Sequence, residues 1–202
     1  MEIKNNLLFK DNSQVEYIQS PNTNGQSRLI VPSYVIIHYT ADSSMEGAID
    51  WFKNPVAEAS AHLVIGRDGR IVQMVPFNQR AWHAGNSSWG NIVGLNSYSV
   101  GIELVNAGKL VKKQGNYVNW AGHVIPEDEV IQAIHKNETS PCFWHEYTQA
   151  QFDAAIEVSK ALVSTYSILE ILGHDDIAPG RKTDPGPAFP MSAFTSRVFG
   201  RA

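Results

Sequence analysis

An imidazole, an ammonium and a carboxylate crowd one short segment near the C-terminus. His174, Lys182 and Asp184 lie within Gly173-His174-Asp175-Asp176-Ile177-Ala178-Pro179-Gly180-Arg181-Lys182-Thr183-Asp184-Pro185-Gly186-Pro187. Its Gly and Pro content excludes a helix interior or a central strand, so the segment reads as a loop. A loop carrying this many polar groups reads as a site. Neutral imidazole and carboxylate are metal-ligand chemistry, which pairs His174 with Asp184. Lys182 could then reach whatever a metal polarises. A capped turn with three solvated side chains is the competing reading, and the loop alone does not choose between them.

Two further candidates sit on apolar runs. His38 ends Tyr34-Val35-Ile36-Ile37-His38-Tyr39-Thr40, a β-branched and aromatic stretch that predicts a strand buried on both faces. Glu103 interrupts Val100-Gly101-Ile102-Glu103-Leu104, a second predicted strand. Taken alone, His38 reads as a satisfied core or surface histidine, and Glu103 as an outward, solvated residue. The lone cysteine, Cys142, has no neighbour that would lower its thiol pKa, and no Gly-x-Ser-x-Gly elbow is present.

Other elements must position these groups. Ser43-Ser44-Met45-Glu46 has capping-box spacing and predicts a helix to about Lys53. Gly66-Arg67-Asp68-Gly69 between two apolar runs predicts a hairpin. Thr148-Gln149-Ala150-Gln151 opens the longest predicted helix, and Ile168 to Leu172 then leads as a strand to His174. Residues 1–33 read as an irregular lead-in. Residues 108–146 read as an insertion or long loop, with a short helix near Glu127 to Lys136. This order predicts an α/β (mixed α+β) fold with a central mixed sheet flanked by helices.

The length of 202 residues suits one domain spanning residues 1–202, and the 43% hydrophobic content is that of a soluble globular protein. The net charge of -4, without a basic run, argues against nucleic acid. A single cysteine excludes an intrachain disulfide. No stretch approaches the ~18 apolar residues of a membrane span. The patch Leu7-Leu8-Phe9 is too short for a signal peptide, which points to the cytoplasm.

Five motifs occur in order: Ile36-Ile37-His38-Tyr39-Thr40, Ser60-Ala61-His62, Arg80-Ala81-Trp82-His83-Ala84-Gly85, Val100-Gly101-Ile102-Glu103, and the His174 to Asp184 loop. Together they resemble the N-acetylmuramoyl-L-alanine amidase type 2 family, particularly its AmpD-like branch, over about Val35 to Phe194. Its fold is shared with peptidoglycan recognition proteins. The resemblance implies one zinc ion on His38, His174 and Asp184, with Glu103 and Lys182 catalytic. It also implies substrate contacts from His62, Trp82 and His83, with second-shell support as the other role for His62. Trp82 could stack on a sugar or line the core. The implied substrate is cell-wall peptidoglycan or its soluble muropeptide fragments, cut between N-acetylmuramic acid and L-alanine by a monomer. A non-catalytic peptidoglycan-binding module on the same fold is the alternative. A phage lysin or a delivered effector is the alternative to a cytoplasmic location.

Overall fold

A computed structural model describes residues 1–42 and 44–200 of the chain. The strands in chain order are β1 (Glu2–Lys4), β2 (Leu7–Lys10), β3 (Ser13–Gln14), β4 (Glu16–Tyr17), β5 (Tyr34–Tyr39), β6 (Leu63–Ile65), β7 (Ile71–Gln73), β8 (Ser88–Trp89), β9 (Ile92–Val93), β10 (Ser99–Leu104), β11 (Lys109–Lys113), β12 (Asn116–Val118), β13 (Val124–Ile125), β14 (Val130–Ile134), β15 (Pro141–His145) and β16 (Glu170–Gly173). The α-helices are α1 (Met45–Lys53), α2 (Gln149–Thr165), α3 (His174–Ile177) and α4 (Met191–Phe199).

The central sheet has six strands in the order β16-β5-β10-β6-β7-β4. Strands β16, β5, β10 and β6 run parallel, and the β6–β7 hairpin supplies the antiparallel pair. Apolar β-branched runs make β5 and β10 strands that are buried on both faces. One face carries Val35, Ile37, Val100 and Ile102 against Phe152, Ile156 and Leu162 of α2 and Phe194 of α4. The opposite face packs Val64 and Val72 against Met45, Ile49 and Phe52 of α1. This is the expected mixed sheet between helices.

Helix α2 begins as the sequence predicts. Thr148 Oγ1 accepts from the Gln151 N–H at 3.1 Å, and Gln151 Oε1 accepts from the Thr148 N–H at 3.2 Å. Helix α1 is capped by Ser44, whose Oγ accepts from the Gly47 N–H at 3.0 Å. The part of the predicted box on Ser43 lies outside the described residues.

Three expectations change. The segment read as a loop from Gly173 opens with the short helix α3, because the Asp176 carboxylate caps its start by accepting from the Gly173 N–H at 2.7 Å. Residues 1–33 carry short strands: β1, β2 and β3 form an antiparallel sheet, and β4 joins the central sheet beside β7. The predicted helix near Glu127 to Lys136 is a single 3-10 turn, Glu127–Glu129, followed by strand β14. Strands β11 to β15 form a second sheet, five-stranded and antiparallel, in the order β13-β12-β11-β15-β14. Glu127, Asp128, Glu129, Gln132 and Ala133 suit a helix locally, but pairing of β14 with β15 overrides that preference.

Candidate metal centre

Parallel pairing brings the site together. His38 on β5 and Glu103 on β10 are direct register partners, so their side chains leave the same face at adjacent strand ends. Strand β16 lies on the other side of β5 and pairs Gly173 with Ile37, so His174 follows at the same edge. The carboxyl ends of parallel strands are where crevices form in open α/β sheets. Here the loop after α3 returns Asp184 to that edge, with the Asp175 N–H donating to the Asp184 carbonyl at 2.8 Å.

His38 Nδ1, His174 Nδ1 and Asp184 Oδ2 form a triangle with all three sides 2.9 Å. All three residues are buried. Hydrogen bonds on the far side of each ring assign the tautomers. His174 Nε2 lies 3.1 Å from the Ala84 carbonyl, which can only accept; Arg181 Nη2, 3.4 Å away, spends its two protons on the Ala84 and Asn86 carbonyls, so Nε2 carries the proton and Nδ1 a lone pair. Ser99 Oγ donates to the Leu95 carbonyl at 2.6 Å and therefore accepts from His83 Nε2 at 3.3 Å. His83 Nδ1 then accepts from His38 Nε2 at 3.0 Å, leaving a lone pair on His38 Nδ1. Burial, followed by the neighbouring His174, lowers the His38 pKa to about 4 against the pull of Asp184, so this ring is neutral at pH 7.

The result is three acceptors facing one point. Acceptors crowded in this way need a cation among them. Two imidazoles and one carboxylate, each imidazole steadied by a partner on its other nitrogen, form a donor set for a divalent metal with an open coordination position. Ligands bound at 2.0–2.2 Å to a tetrahedral ion sit about 3.3 Å apart, a small opening of the observed triangle.

A cleft of about 640 Å³ opens beside the triangle and is also lined by Glu103, Lys182 and Trp82. Glu103 is 9% exposed, and its Oε2 has no hydrogen-bond partner among the described residues. Burial, then Asp184, raises its pKa well above the ordinary value, while the Lys182 ammonium acts in the opposite sense. The outward reading of Glu103 is therefore corrected. The strand alternates as expected, but both faces of the sheet are covered.

His62 is not at the cleft. It is fully buried; its Nδ1 accepts from the Gly101 N–H at 3.0 Å, and its Nε2 donates to the Gln79 carbonyl at 2.9 Å. Both its nitrogens are taken by backbone groups, so it ties β10 to the Gln79 segment. His83 lines the cleft, yet both its nitrogens are engaged behind His38. Its ring lies where a Cβ on Gly101 would be, 2.5 Å from Cγ, which explains a glycine in the middle of β10. Trp82 lines the cleft with its indole N–H donating to Asn24 Oδ1 at 3.0 Å.

Sequence reasoning missed Trp51 and Trp120, which also line the cleft. Trp120 is 80% exposed and sits on the turn between β12 and β13, its indole N–H donating to the Ala41 carbonyl at 2.8 Å. No local signal marks it. Arg181, in the loop after α3, also lines the cleft. Its guanidinium donates to the Ala84 and Asn86 carbonyls at 2.9 and 2.7 Å.

Among the described residues, no helix is long and apolar enough to cross a membrane. Residues 27–187 match the N-acetylmuramoyl-L-alanine amidase family. The 1,6-anhydro-N-acetylmuramyl-L-alanine amidase AmpD of Enterobacter cloacae is 35% identical over 161 residues, 76% of this chain and 67% of that protein. The crystal structure of a selenomethionine derivative of AmpD superimposes with a TM-score of 0.64 at 29% identity, covering 98% of this chain and 99% of that one. The Escherichia coli amidase AmiD, in complex with anhydro-N-acetylmuramic acid-L-Ala-D-gamma-Glu-L-Lys, superimposes with a TM-score of 0.64 at 27% identity, covering 96% and 66%. On a match spanning most of its length and on these likenesses, the chain belongs to the N-acetylmuramoyl-L-alanine amidase family.

Proposed function

We propose that this protein is a zinc-dependent amidase. It hydrolyses the amide between the lactyl group of 1,6-anhydro-N-acetylmuramic acid and the L-alanine of the stem peptide in soluble muropeptides. One observation carries the reading: three lone-pair donors meet at 2.9 Å beside a buried carboxyl with an oxygen unpartnered among the described residues. The names of the relatives and the ligand held by AmiD support the substrate class. Recycling of such fragments in the cytoplasm is the corresponding location, with one domain carrying the activity.

His38 Nδ1, His174 Nδ1 and Asp184 Oδ2 would hold the zinc. Two imidazoles favour zinc over magnesium or calcium, which take oxygen ligands. When bound, zinc polarises a carbonyl and lowers the pKa of water from ~15.7 to about 7. Glu103 has the environment of a proton carrier, because burial favours its protonated form. It takes the proton of the attacking water at its carboxylate and returns it to the departing amide nitrogen. Lys182, on the same cleft, places its ammonium to stabilise the oxyanion that develops on the carbonyl. Trp82 offers a partly exposed indole to the substrate, and His83 acts by fixing His38.

Incubation with anhydro-muropeptides and with purified sacculi, each with and without chelator, tests this. The expected result is free stem peptide beginning with L-alanine from the soluble fragments, abolished by chelator and restored by zinc. Activity that survives chelation would end the zinc reading, and cleavage of sacculi alone would end the fragment assignment.

A further inference from the structure

The second sheet grips α3 and the loop after it, which carry two of the three metal donors. His135 directly follows β14, and its Nε2 lies 2.9 Å from Asp175 Oδ2. The pair is 1% and 4% exposed at the side chains. Its polarity is assigned, because His135 Nδ1 accepts from the Asn137 N–H at 3.2 Å and Nε2 therefore donates to Asp175. Asp175 is the neighbour of His174, and its N–H holds the Asp184 carbonyl. Asp175 thus links both metal donors to the second sheet.

A second hold lies alongside. The His135 ring stacks on Trp144 of β15, with centroids 5.6 Å apart and planes at 24°. Trp144 packs on Gly186, where a Cβ would come within 2.8 Å of the indole. The ring fills the space beside Asp184-Pro185-Gly186 and leaves room only for glycine.

We propose that His135 is a positioning residue of the metal centre. Its hydrogen bond to Asp175 holds His174 and Asp184 in coordinating geometry, so residues 108–146 contribute to metal affinity without touching the metal. This rests on the metal-dependent reading above. Outer partners of metal ligands typically contribute 10- to 100-fold in affinity. Here the partner acts one residue further out, through the backbone.

The test separates hydrogen bond from packing. His135→Phe keeps a ring against Trp144 but cannot donate. His135→Gln keeps a donor and gives up the ring. Zinc affinity is measured by competition with a chromophoric chelator, and ligand geometry by the absorption spectrum of the cobalt(II)-loaded protein. Affinity about 10-fold weaker in His135→Phe, with an altered cobalt spectrum and substantial recovery in His135→Gln, is expected. Native affinity and spectrum in His135→Phe, or equal loss in both variants, would overturn the proposal. If His135→Phe does not fold, Asp175→Asn takes its place, since it removes the charged acceptor at constant volume. A folded Asp175→Asn with native affinity also overturns it. Failure of the unaltered protein to bind zinc would instead overturn the functional reading, so the two failures are distinct.

Discussion

Glu103 has two opposed effects at the level of the single residue. It is buried next to Asp184, which suits a group that must hold a proton during turnover but disfavours a carboxylate in the metal-free fold. A carboxyl whose folded pKa lies above its ordinary value of 4.5 lowers folding stability once pH exceeds that value. Below it, both folded and unfolded chains hold the proton and the penalty vanishes. Metal-free Glu103→Gln should therefore melt above the unaltered protein at pH 7, with the gap closing toward pH 4. Thermal melts across that range check it, and a lower melting temperature at pH 7 would contradict the assigned environment. The same variant should keep zinc and lose roughly 100- to 1000-fold in turnover. His38, by contrast, was not identifiable as a ligand from its neighbours alone. The lone pair it turns toward Asp184 follows from the ring behind it, because His83 and Ser99 fix which nitrogen carries the proton.

At the level of elements, local rules gave good guidance where a single segment determines its own shape. Tyr34–Tyr39, the hairpin around Asp68-Gly69 and helix α2 formed where patterning and capping residues place them. Thr148 also donates from Oγ1 to the Arg67 carbonyl at 2.6 Å, so the helix start is tied to the hairpin turn. Thr148→Ala should cost about 1–2 kcal/mol and lower the melting temperature by roughly 2–8 °C, with zinc affinity unchanged. Calorimetry and chelator competition on the same sample check both parts. A changed affinity would mean that the cap reaches the site. The second sheet was illegible for the opposite reason. Its strands mix Lys, Gln and Asn with apolar residues, and β14 is only half covered. Pairing across long sequence separations, with β11 beside β15, is what makes them strands.

For the whole molecule, the metal would join β5 to the start of α3, 136 residues further along the chain. A ligand bound only by the folded state stabilises it by about 2.7 kcal/mol at 100 times its Kd. For a chain of this size, that corresponds to a rise of about 5–11 °C. Melts in chelator and in zinc at that excess should show this rise, and identical melting temperatures would mean that no such joint forms. By itself, the sequence determined the central strands β5 and β10, the capped start of α2 and the residue types available for chemistry, because these depend on neighbours a few positions away. The tertiary structure alone decided that Glu103 faces inward, that His62 lies off the cleft, and that residues 109–145 form a second sheet packed against the segment from His174 to Gly186. Each of these depends on what covers a face, and the covering atoms come from distant parts of the chain.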